Sequence, residues 1–190
     1  MKKLLLAVAC CVATVAALAQ PQLNWGSQVS SAGLKFTFSE AGTGALLGDT
    51  YVAGLMWGKA ADSLAPAQSG GVPVVLPFKM KSGVGSGVYS TGSLVSIDGT
   101  DWGQAIYLQV VAYDKNAPSY AAAIAPGSGY KAGASDIIPF TLPSNATEPI
   151  KTLDALNGKS FTVDAVVIPE PSILALGLLG GVAFLLRRRS

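Results

Sequence analysis

Between Gln20 and Ile168, apolar side chains recur at every second position in run after run, and no long stretch repeats them at helical spacing. Successive side chains of a strand point to opposite faces, whereas a helix needs apolar residues three and four apart to build one stripe. The period therefore restricts the body of the chain to β structure. Leu34, Phe36 and Phe38 share a face of one run, and Tyr51, Ala53, Leu55 and Trp57 a face of a second. Ile106, Leu108, Val110 and Ala112 share a face of a third, which ends at Asp114, and Phe161, Val163, Ala165 and Val167 form a fourth. Pro73 to Met80 and Asp136 to Leu142 predict further strands, with Pro77 and Pro139 at edges or bends because proline has no amide to give to a ladder. Glycine-rich stretches separate these runs, among them Gln68 to Gly71, Ser82 to Gly87, Asp98 to Asp101 and Gly127 to Gly129. The expectation is an all-β domain over residues 20–168, a single small β-sandwich of about seven or eight short strands.

The two ends read differently. Lys2 and Lys3 precede an apolar run from Leu4 to Leu18, and Ala17 and Ala19 stand at the spacing of a small-residue cleavage site before Gln20. This is the pattern of a secretory signal peptide over residues 1–19, and the run is short for a membrane span. A lipoprotein signal lipidated at Cys10 or Cys11 would leave only a few apolar residues after Lys3, which disfavours it. Both cysteines of the chain lie in this leader, so the mature body is expected to have neither thiol nor disulfide.

At the other end, Pro169, Glu170 and Pro171 precede a run from Ile173 to Leu186 without a charge, followed by Arg187, Arg188 and Arg189. The prolines hold their predecessors extended, so the motif is a stiff separator. Fourteen helical residues span about 21 Å against a hydrocarbon core of about 30 Å, a short fit. The arginines would stay on the cytoplasmic side, leaving the body outside. Proline-glutamate-proline, a glycine-containing apolar helix and a terminal basic cluster, in that order over Pro169 to Ser190, resemble the PEP-CTERM sorting domain. That resemblance implies an exosortase-type membrane protease-transpeptidase as partner and processing of the tail. It also implies a setting of exopolysaccharide production. The protein would cross the inner membrane, be held there by its C-terminal helix, and then pass to the cell surface or extracellular matrix. The rival is a plain membrane anchor after a proline linker, and the short apolar span favours the sorting signal. Residues 50–142 also resemble, more loosely, a group of small exported proteins that bear such tails. The likeness rests on Tyr51 to Trp57, Ala61 to Leu64, Gly103 to Asp114 and Ser119-Tyr120. It implies a compact β domain and no activity.

Chemistry is hard to build from this composition. The chain has no histidine, which removes Ser-His-Asp and Cys-His arrangements and the usual zinc sites. Between Gln20 and Ile168 there are 8 lysines, no arginine and 10 carboxylates, a slightly acidic body with nothing to attract nucleic acid. The expectation is no catalytic site, cofactor or metal. Asp98 and Asp101 could offer oxygens to calcium, but the spacing of an EF-hand is missing and a turn is the preferred reading. Trp25, Trp57 and Trp102 could stack sugars, although aromatic residues more often fill cores. Trp102, between Asp101 and Gly103, is the best of the three as a sugar-stacking residue. The glycines of Ser82 to Gly87 lack the Lys-Ser or Lys-Thr of a phosphate cradle, and Asn145-Ala-Thr147 matches a glycosylation sequon. The expected function is that of an exported structural or interaction protein of the surface or matrix. The alternative is a carbohydrate-binding module acting on exopolysaccharide.

Overall fold

The computed structural model describes residues 20–29, 34–79, 87–89 and 93–165. The predicted leader with Ala17 and Ala19, the motif Pro169 to Pro171, the apolar run and Arg187 to Arg189 lie outside the described residues.

Within them the chain is all-β. The strands are β1 (Gln22–Asn24), β2 (Gln28–Val29), β3 (Leu34–Lys35), β4 (Thr37–Glu40), β5 (Tyr51–Gly58), β6 (Ala65–Pro66), β7 (Gln68–Ser69) and β8 (Val72–Pro73). They continue with β9 (Val75–Pro77), β10 (Leu94–Ser96), β11 (Ala105–Asp114), β12 (Lys131–Ala134), β13 (Ile138–Thr141), β14 (Lys151–Thr152) and β15 (Ser160–Ala165). A four-residue helix α1 (Tyr120–Ala123) lies between β11 and β12, and a 3-10 turn spans Asp154–Leu156. The largest sheet runs β4-β15-β12-β11-β5-β6, with β13 also on β11 and β9 also on β5; a smaller one runs β10-β1-β14.

The ten-residue β11 organises the sheet. It pairs antiparallel with β5 over eight positions, from Tyr107 opposite Gly58 to Asp114 opposite Tyr51. The predicted inward set, Ile106, Leu108, Val110 and Ala112, is at most 1% exposed. It meets Ala53 and Leu55 from β5, Phe36 and Phe38, and Val163 from β15 in one cluster. Leu23 and Val95 of the smaller sheet, with Trp25, Ile97, Leu153 and Leu156, belong to that same cluster, so both sheets contribute to one core.

The strands are more numerous and more broken than the sequence predicts. The run through Leu34, Phe36 and Phe38 divides at Phe36, because the chain changes partners there. Lys35 pairs with Gln28, whereas Thr37 pairs with Ser160 in a parallel ladder. In the fourth run Val163 is fully buried, Phe161 is half-buried and Ala165 is exposed; Val167 lies outside the described residues. The Lys131–Ala134 strand carries no alternation and is not foreseen from the sequence. It and β13 occupy the same side of β11, Ala134 opposite Val111 and Ile138 opposite Leu108. Three residues, Ser135 to Ile137, therefore face two, Gln109 and Val110, and the extra residue makes a bulge. Buried Ser135 closes it. Its hydroxyl accepts from the Val110 amide at 3.0 Å and donates to the Asp136 carbonyl at 2.8 Å. Without that hydroxyl a buried amide would lack its partner.

The large sheet is rolled. Four strand spacings of about 4.8 Å separate β4 from β5 along it, about 19 Å if flat. Yet the Tyr51 hydroxyl donates to Glu40 Oε1 at 2.9 Å, and Lys131 lies 3.6 Å from the same carboxylate. Burial, then the Glu40 carboxylate, push the Tyr51 phenol well above its ordinary range, so it stays a donor. The outer face is also partly covered. Val111 and Tyr113 are buried beneath Ala117 and Ala123, and Tyr120 packs 6.0 Å from Tyr113. α1 is held by Ser119, whose hydroxyl accepts from the Ala122 amide at 3.1 Å.

Gly133 marks the tightest approach in this sheet. A Cβ there would lie 2.0 Å from the Thr162 carbonyl oxygen, a backbone atom of β15 that cannot swing aside. Gly133→Ala is expected to force β12 from β15 and cost on the order of 3 kcal/mol, at the upper end for overpacking. At Gly54 the nearest atom would be a Val111 methyl at 3.2 Å, so Gly54→Ala should cost less. Urea melts of both variants in the 20–168 fragment check the order; equal midpoints would refute it.

Candidate functional site

The three tryptophans separate. Trp25 is 1% exposed and stacks on Tyr89, ring centroids 4.8 Å apart, while the Tyr89 hydroxyl donates to the Trp25 carbonyl. Trp57 is half-buried against the core, its ring 3.8 Å from where a Gly99 Cβ would stand. Trp102 lies in the turn before β11, half-buried, and lines a surface pocket of about 260 Å³. Gln20, Gln22, Pro143, Asn145, Ala146 and Glu148 are among the residues of its wall. Trp25 also borders a shallow depression but is buried, whereas half-buried Trp102 shares its depression with polar residues from distant parts of the chain.

Two loops build this pocket. The Gly103 amide donates to the Pro143 carbonyl at 2.8 Å, and the Leu142 amide to the Gln104 carbonyl at 3.0 Å, so the Trp102 turn and the 143–148 loop are tied backbone to backbone. Gly103 has φ +71°, a conformation that suits glycine. The 143–148 loop is folded on itself. Asn145 Oδ1 accepts from the Thr147 amide at 3.0 Å, the Thr147 hydroxyl at 2.7 Å and the Glu148 amide at 3.1 Å. Glu148 takes the Ser144 hydroxyl and amide and pairs with Lys151 at 3.0 Å. The Ser144 hydroxyl, its amide and Lys151 hold the Glu148 carboxyl down to about 2. The sequence marks Asn145 and Thr147 only as a motif; that Asn145 shares a pocket with Trp102 is a product of the fold.

Asp98 and Asp101 do not form a cation cage. Both Asp98 oxygens accept backbone amides, Gly70 at 2.9 Å and Gly71 at 2.7 Å. Gly70 and Gly71, at φ +60° and +77°, are the central pair of the hairpin joining β7 and β8. Two positive φ values are what the tight hairpin turn demands, and Asp98 satisfies its outward amides. The Asp101 amide donates instead to Gln104 Oε1 at 2.9 Å, within its own turn. Among the described residues no group of three or more His, Cys, Asp or Glu side chains is gathered as for a metal.

Other depressions lie elsewhere on the surface of the described residues, and two of them are larger. One, about 580 Å³, lies between β13 and β14 and is lined by Pro139, Phe140, Glu148, Ile150, Lys151 and Asp154. The other, about 500 Å³, is apolar and lies on the outer face over Gly54, Met56, Val111, Tyr113 and Tyr120. Among the described residues no helix is long and apolar enough to cross a membrane. Comparison of the chain with protein-family models, with curated proteins and with solved structures finds no match.

Proposed function

We propose that this chain is an exported structural or interaction protein of a bacterial surface or extracellular matrix, sorted through its C-terminal tail by an exosortase-type membrane enzyme. The observation that carries the reading is the pair of ends. A basic, apolar, Ala-x-Ala leader opens the chain, and a Pro-Glu-Pro separator, a short apolar run and three arginines close it. The folded body between them is a β-sandwich-like unit in which the three-stranded sheet forms the second layer over the shared core. It works by presenting surface, not by catalysis. Its recurring charged and aromatic contacts, such as Tyr51 with Glu40 and Asp98 with the Gly70-Gly71 turn, are accounted for by folding. The test is mass spectrometry of both mature termini in cells with and without the sorting protease. A new N-terminus at Gln20, and loss of the residues after the Pro169 to Pro171 region only when the protease is present, are expected. An intact Arg187 to Ser190 tail in both strains would leave a plain anchor.

The second reading, an exopolysaccharide-binding module, is favoured by the Trp102 pocket, which sets an indole among Gln22, Asn145 and Glu148. One aromatic stack contributes on the order of 1–3 kcal/mol, and about 4.1 kcal/mol is needed even for millimolar affinity. Isolated domains should therefore bind soluble oligosaccharides no tighter than millimolar, with retention in a matrix coming from many copies. Calorimetry with and without Trp102→Ala decides: micromolar binding abolished by that substitution would make the binding module the leading function.

A further inference from the structure

We infer that Asn145 is an acceptor for an N-linked glycan and that the first sugar of this glycan packs on Trp102. The inference rests on the export reading, because it needs the body of the chain on the outer side of the membrane.

Three independent features meet at this point. Asn145-Ala-Thr147 supplies the carboxamide and hydroxyl that an asparagine-linked transfer requires. All four residues from Ser144 to Thr147 are exposed, on a loop that an enzyme can approach. Within the loop the Thr147 hydroxyl is held against Asn145 Oδ1 at 2.7 Å, and that oxygen takes two backbone amides as well. The acceptor oxygen is thereby occupied, and Nδ2, the atom that would be glycosylated, has no hydrogen bond to the described residues. The third feature is the pocket. Trp102 lines the same depression as Asn145 and Ala146, with Gln20 and Gln22 on its wall. The backbone bonds from Gly103 to Pro143 and from Leu142 to Gln104 keep the two loops in register, so a sugar attached at Asn145 has an aromatic surface and amide side chains within its first residue's reach.

The co-substrate is an oligosaccharide linked to an isoprenoid lipid through a diphosphate. Nδ2 attacks the anomeric carbon, the bond from that carbon to the diphosphate oxygen breaks, and a carbon–nitrogen bond forms. The lipid diphosphate leaves with the electron pair, and one Nδ2 proton passes to a base of the transferase. No oxidation state changes.

The experiment uses the full chain purified from the cells that export it. Trypsin releases residues 132–151 as one peptide bounded by Lys131 and Lys151, and electron-transfer fragmentation locates any added mass. The expected result is a hexose- or N-acetylhexosamine-containing increment on Asn145, lost completely in Asn145→Gln and Thr147→Ala and retained in Thr147→Ser. Melting temperatures of the variants show whether each is folded, and the serine variant keeps the hydroxyl if the alanine variant is not. Glycosylated protein should melt higher than bare protein, and Trp102→Ala should remove that difference while keeping the increment. Bare Asn145 in a chain whose N-terminus is Gln20 would overturn this inference and leave the export reading standing. A chain that retains residues 1–19 in the cytoplasm would overturn both. An increment with an unchanged melting difference in Trp102→Ala would overturn the packing on Trp102.

Discussion

Replacing Pro169, Glu170 and Pro171 with alanine is expected to leave export intact and abolish processing of the tail, so that the chain accumulates in the membrane fraction with all residues to Ser190. The physical reason lies in what the motif interrupts. Proline disfavours helix in its predecessor and cannot continue one, so Pro169 and Pro171 are expected to stop a helix of the apolar run from growing towards the body. Alanine is the best helix former, so the triple variant removes that stop. A run of 14 residues spanning about 21 Å could then extend by four or five residues to about 28 Å, close to the hydrocarbon thickness. On the proposed function, a short-fitting tail would become a well-matched anchor as well as lose its recognition motif. Fractionation followed by intact-mass measurement separates the outcomes. Normal shortening of the triple variant would remove Pro169 to Pro171 from the processing signal.

The largest effect on stability is expected from Phe38→Ala. Phe38 is fully buried in β4 and sits among Phe161 at 5.4 Å, Phe78 at 5.8 Å and Phe36 at 6.3 Å between ring centroids. Its neighbours come from β15, from the segment after β9 and from its own run, so removing the ring opens a void that no single element can collapse to fill. Loss of a buried phenylalanine costs about 3–5 kcal/mol. For a chain of this size that lowers the melting temperature by roughly 10 °C. Val72→Ala, at a hairpin position that is 65% exposed, should shift it little. Thermal melts of residues 20–168 read both. A Phe38→Ala shift no larger than that of Val72→Ala would mean that the aromatic cluster does not carry the core.

Much of the candidate site was legible as residue types and little of it as a place. Trp102 stands out in the sequence because an indole between Asp101 and Gly103 interrupts a polar turn. Nothing local says that Gln22, from the first strand, and Asn145, more than forty residues further on, share its pocket. Asp98 shows the converse. Its neighbours in sequence suggested a turn or an ion, whereas the groups it serves, Gly70 and Gly71, are 28 and 27 residues away.

The amino-acid sequence by itself determined the β character of the body and the inward faces of its two long strands. It also marked the turns at Gly70-Gly71 and Gly99, where glycine takes positive φ. These follow from interactions between residues near in sequence: side-chain alternation, the missing amide of proline and the freedom of glycine. The tertiary structure alone decided the rest. Val111 and Tyr113 are buried on the outer face of β11 because α1 lies over them, so a strand read as one-sided has two covered faces. Lys131–Ala134 is a strand because β11 and β15 offer ladders on both sides, not because its side chains alternate. The run at Phe36 breaks because its two halves find different partners, and the sheet rolls until Glu40 reaches Tyr51. Each of these depends on which distant segments arrive beside one another. Hydrogen-bond ladders and buried area reward that choice only after the chain has closed long loops, and no short window of residues contains it.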